Sequence, residues 1–63
     1  MKTYYCVTTR FFDNGTVKAN LYEVKAVSKP ENTMTELKQY DEYHDYFDTY
    51  NEALQFYKMA KIV

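Results

Sequence analysis

An α+β fold follows from three features of this sequence: a small antiparallel sheet packed on one C-terminal α-helix, in the order β-β-β-α. Thr3 to Val27 reads as a long β-hairpin folded about Asp13-Asn14-Gly15. Gln39 to Phe47 carries apolar alternation, and the last dozen residues carry a helical stripe behind a cap.

The hairpin is the firmest element. Its arms are rich in Tyr, Phe, Val and Thr, which suit a half-buried pleated surface, and Asn-Gly is a strong local turn signal. A two-residue loop at Asn14-Gly15 would put Phe11, Val7 and Tyr5 on one face with Lys18 and Asn20. A three-residue loop with Gly15 as a G1 bulge pairs Phe12 with Thr16 instead. In that register Tyr5, Val7, Thr9 and Phe11 share a face with Val17, Ala19 and Leu21, while Thr8, Arg10, Thr16, Lys18 and Asn20 point the other way, so this register is expected. Beyond Leu21 the apolar positions become Tyr22, Val24 and Ala26. That change of phase requires either a bulge near Asn20 to Tyr22 or a hairpin base covered on both faces.

Ser28 to Asn32 reads as a loop. From Met34 to Asp48 two periodicities compete. Thr33 and Glu36 have capping-box spacing, and Met34, Leu37, Tyr40 and Tyr43 recur every three residues, as in a helix. Against this, Tyr43, Asp45 and Phe47 alternate with His44 and Tyr46, and a lone hairpin needs a third strand or a helix against it. The boundary that follows tips the assignment to a strand over Gln39 to Phe47. Thr49 and Glu52 form a second capping box ahead of Ala53, with Phe47 near the position of a hydrophobic staple. The helix, Tyr50 to about Lys61, has Ala53, Phe56, Tyr57, Ala60 and Val63 as its stripe, acids at its start and lysines at its end.

A chain of 63 residues is one small domain, and at this size roughly 60% of the unfolded surface is buried, so self-association is an economical source of stability. The single Cys6 forms no internal disulfide, and no apolar run has the length of a signal or membrane segment. The expected location is the cytoplasm, without membrane association. The run Tyr46-Phe47-Asp48-Thr49-Tyr50-Asn51-Glu52-Ala53 resembles the strand-to-helix junction of many very small bacterial and phage proteins. That resemblance implies a small accessory protein and assigns no site.

Charge is segregated. Residues 1 to 29 carry a net +3, residues 30 to 52 a net −6, and Lys58 and Lys61 return the total to −1. Aromatic residues make up 19% of the chain, eight Tyr and four Phe, and four of the eight tyrosines fall in the acidic stretch. Tyr is enriched at interface hot spots and carboxylates steer encounter, so Tyr40, Asp41, Glu42, Tyr43, Asp45 and Tyr46, with Tyr50 beside them, are the candidate surface for a protein partner. A free sheet edge or a second copy of the chain are the other expected modes. The alternative function is nucleic-acid binding by the hairpin, with Arg10, Lys18 and Lys25 on phosphates and Tyr4, Phe12 and Tyr22 stacking on bases. So few cations make it the lesser reading.

Catalysis has little footing. His44 stands alone among Asp41, Glu42, Asp45 and Asp48, Cys6 sits in a strand as a small hydrophobe, and Gly15 has no companion glycine to cradle a phosphate. A non-enzymatic interaction module with no cofactor and no metal is expected.

Overall fold

The computed structural model describes residues 1–62, and for Lys61 and Ile62 the backbone alone. The elements are β1 (Lys2–Phe12), β2 (Val17–Ala26), β3 (Thr33–Glu36), β4 (Tyr40–Phe47) and α1 (Tyr50–Ile62). The strands form one antiparallel sheet in the order β2-β1-β4-β3, and α1 lies on one face of it. The α+β class and the long N-terminal hairpin are as the sequence predicts. The strand number is not: Thr33–Glu36 adds a fourth strand where β-β-β-α has three.

The first hairpin has the three-residue loop. Phe12 N donates to Thr16 O at 2.9 Å, Gly15 N donates to Phe12 O at 3.0 Å, and Gly15 has φ of 90°, the left-handed position of the G1 bulge. Asn14 Oδ1 accepts from Thr16 N at 2.9 Å and closes the turn. Pairing then runs unbroken from Phe11↔Val17 to Lys2↔Ala26, so no bulge interrupts β2. The change of phase at Tyr22 is a true change of face: Val17, Ala19 and Leu21 are on the helix side of the sheet, and Tyr22, Val24 and Ala26 on the opposite, open face.

β1 is the centre of the fold because β4 returns to its other side, from Tyr5↔Phe47 to Phe12↔Tyr40. Its middle is buried on both faces: Val7 and Thr9 beneath α1, Tyr4, Cys6 and Thr8 on the open side. No element among the described residues covers that side. Cross-strand neighbours Tyr22 and Tyr46 flank Cys6 there, and the thiol lies beside both of their hydroxyls.

The link from β2 to β3 crosses the ends of β1 and β4 through the loop that contains Ser28 to Asn32. Asn32 Oδ1 accepts from Tyr46 N at 2.8 Å and satisfies a β4 amide beyond the end of β3. The Lys38-Gln39 turn then joins β3 to β4, with Leu37 N donating to Tyr40 O at 2.9 Å. At the last junction Thr49 caps the helix: its Oγ1 accepts from Glu52 N at 3.3 Å and donates to Glu52 Oε1 at 2.9 Å. Ala53 is fully buried, and its small side chain lets the helix approach the sheet closely. Phe56, expected on the inward stripe, stands at the helix margin and is exposed. Val63 lies outside the described residues.

Candidate functional site

Strand alternation decides what the acidic, Tyr-rich segment can do. Successive β4 side chains point to opposite faces, so the six candidates divide. Asp41, Tyr43 and Asp45 lie on the helix side, and Tyr40, Glu42 and Tyr46 on the open side. They do not form one surface. Tyr50 joins neither group and packs edge-on against Tyr5, with ring centroids 5.6 Å apart.

On the helix side, α1 rests on β1 and β2 and leaves β4 and β3 largely bare. The result is a groove of about 420 Å³ between helix and sheet, lined by Thr9, Phe11, Tyr43, Asp45, Phe56, Met59 and Ala60. Its walls are apolar. Phe11 meets Tyr43 edge-on at 5.6 Å, Phe56 meets Phe47 at 5.3 Å, and Met59 is 68% exposed. Two polar groups lie among them. Thr9 is 2% exposed, and its hydroxyl has no hydrogen-bond partner among the described residues. Burial pushes the Asp45 carboxyl above the usual carboxylate range, and neighbouring His44 opposes that shift only in part. Asp45 makes no salt bridge among the described residues. Glu36 and Asp41 stand directly opposite each other on the same face, two more carboxylates without a salt-bridge partner among the described residues.

The open side is chemically different. Arg10 Nε donates to Glu42 Oε1 at 2.6 Å, and His44 Nε2 lies 3.1 Å from Glu42 Oε2. The Arg10 guanidinium, then His44, hold the Glu42 carboxyl below its ordinary range. Phe12 and Tyr40 stack at 4.8 Å, with Lys18 5.5 Å from the Phe12 ring and Arg10 5.6 Å from the Tyr40 ring. Tyr22 OH bonds to Thr8 Oγ1 at 3.1 Å. Of the residues expected to contact nucleic acid, Arg10, Phe12, Lys18, Tyr22 and Tyr4 do share this face. Lys25 does not. Its odd-numbered position puts it on the helix side, where its ammonium bonds to Thr3 Oγ1 at 3.0 Å.

Among the described residues no group of three or more His, Cys, Asp and Glu side chains is placed to hold a metal ion, and no helix is long and apolar enough to cross a membrane. The groove residues Thr9, Phe11, Phe56 and Met59 escape sequence reasoning because no local motif marks them. Only the offset of the helix toward β1 and β2 exposes them as a set. The site therefore defines a small α+β protein with an acid-bearing apolar groove. Compared with protein-family models, with curated proteins and with solved structures, the chain matches none.

Proposed function

We propose that this chain is a non-enzymatic interaction module of the cytoplasm that takes a basic, amphipathic segment of a protein partner into the groove between α1 and β4. One observation supports the reading: among the described residues Asp45 is a partly desolvated carboxylate without a salt bridge, set in an apolar groove beside a hydroxyl without a hydrogen-bond partner. An apolar segment would cover Phe11, Tyr43, Phe56 and Met59, and its lysine or arginine would meet Asp45, with Asp41 and Glu36 steering the approach. Removing water from Asp45 without a cation would raise the energy of the complex, so the charge of the occupant is part of its recognition.

The test is an amide NMR titration with two amphipathic peptides of equal hydrophobicity, one lysine-rich and one glutamate-rich. The lysine-rich peptide is expected to shift Thr9, Tyr43, Asp45 and Phe56, and the acidic one to shift nothing. Asp41→Asn with Asp45→Asn should weaken binding about tenfold, whereas Glu42→Gln, on the other face, should leave it unchanged. Shifts confined to the open face, or equal losses from both changes, would reject the groove.

A second reading rests on the Phe12 and Tyr40 pair between Arg10 and Lys18, a platform on which single-stranded nucleic acid could stack. Glu42 already neutralises Arg10, which weakens this reading. Salt-dependent binding of a labelled single-stranded oligonucleotide, lost in Phe12→Ala, would favour it.

A further inference from the structure

The outer edge of the sheet carries a pattern independent of the groove. β2 is ten residues long, pairs with β1 without a bulge, contains no proline and has no strand on its other side. Edge strands in stable monomers are usually short, bulged or broken by proline, because their unpaired amides and carbonyls template pairing with another chain. Which backbone groups are free follows from the turn. Phe12 and Thr16 form a hydrogen-bonded pair, so the even residues of β2 direct their N–H and C=O to β1, and Leu21, Glu23 and Lys25 direct theirs outward.

We infer that this edge pairs with the β2 edge of a second copy, antiparallel about a two-fold axis at Val24, and so makes one continuous eight-stranded sheet. Charge fixes the register. With Val24 opposite Val24 of the second copy, Glu23 faces the second copy's Lys25 and Lys25 faces its Glu23. All of these backbone groups are outward-directed, and the four charged side chains lie on the helix side. A step of register in either direction would oppose Glu23 to Glu23 or Lys25 to Lys25. The same alignment sets Leu21 against the second copy's Val27, which is 82% exposed in the single chain. Leu21 and Glu23 already line a cleft of about 400 Å³ with Tyr5 and Tyr50, which this Val27 would enter. On the open side Tyr22 would meet Ala26.

Glu23 and Lys25 are exposed, so reversing their charges does not disturb the core. Sedimentation velocity across a concentration series is expected to give a dimer for the native chain. Glu23→Lys alone, and Lys25→Glu alone, should each weaken dimerisation about tenfold to a hundredfold, because each replaces two attractive pairs by two repulsive ones. The double reversal restores the pairs and should restore the dimer. Hydrogen exchange gives a second measure on the unaltered chain. The amides of Leu21, Glu23 and Lys25 should become protected as concentration rises, while those of Tyr22 and Val24 are protected at every concentration. A native chain that stays monomeric at millimolar concentration, single reversals without effect, a double reversal that fails to rescue, or outward amides whose exchange ignores concentration would each overturn the inference.

Discussion

At Asp45 a carboxylate is partly shielded from water and makes no salt bridge among the described residues, and the consequence for stability has a definite sign. Its folded-state pKa lies above its ordinary value because burial disfavours the ionised form. A group raised in this way favours the folded state while protonated, and that contribution is lost as pH rises through the folded pKa. Asp45→Asn should therefore unfold at higher urea than the native chain at neutral pH, and the gap should close below about pH 4 as the native carboxyl protonates. Urea titrations at both pH values check this, and a native chain more stable than the variant at neutral pH would refute it. Glu42 has the opposite sign: Arg10 and His44 lower its pKa, so its contribution is present at neutral pH and lost as pH falls through the folded value. Neither sign is legible from the run Asp41-Glu42-Tyr43-His44-Asp45, where the acids look equivalent. Strand alternation separates them, and only the placement of Arg10 and of α1 gives each its environment. If Asp45→Asn gains stability and loses peptide binding together, the residue is retained for recognition at the expense of the fold.

Among the elements, those with local signals are the ones the sequence specifies. The first turn needs a left-handed residue and has a glycine there. The helix needs a donor and acceptor at its start, and Thr49 with Glu52 supplies both. The Gly15 contribution can be isolated, because a Cβ built at that position meets nothing within 4 Å. Gly15→Ala should thus cost about 1 kcal/mol, the penalty of the left-handed backbone alone, read as a lower urea midpoint with unchanged slope. A loss of more than about 3 kcal/mol would mean that the turn is held by more than its backbone conformation. β3 lacks any such signal. Its turn, Lys38-Gln39, has no glycine, and no non-glycine residue among those described takes a positive φ, so the usual hairpin chemistry is absent. Thr33 and Glu36 have the spacing of a helix cap, yet they are the two ends of a strand whose residues are all exposed. What makes this strand is pairing with β4, from Thr33↔His44 to Glu36↔Asp41, a tertiary cause that outweighs a local pattern. The missing alternation in β2 has a similar origin: its apolar residues serve first the helix and then the tyrosines of the open face.

For the molecule as a whole, the order β2-β1-β4-β3 puts the first strand in the middle, held by its sequence neighbour on one side and by a strand from the far half of the chain on the other. Cys6 reports on that arrangement. It is fully buried although no element among the described residues lies over the open face, because β2 and β4 bring Tyr22 and Tyr46 to its two sides. Two routes lead a reagent to the thiol. The tyrosines can swing aside while the sheet stays paired, or β1 can lose a neighbouring strand. Tyr22 is anchored through Thr8 and Tyr46 is set by a strand paired on both sides, so loss of strand pairing is the expected route. β1 pairs with both β2 and β4, and α1 rests on it as well, so separating either strand from it removes the shared core. The rate of thiol labelling should then rise with urea along the slope of equilibrium unfolding, provided the reagent is dilute enough that reclosing outruns reaction. Labelling that is already fast in water and indifferent to urea would mean that the tyrosine roof moves by itself. The open face would then have a local freedom that its hydrogen bonds and its paired strands do not predict.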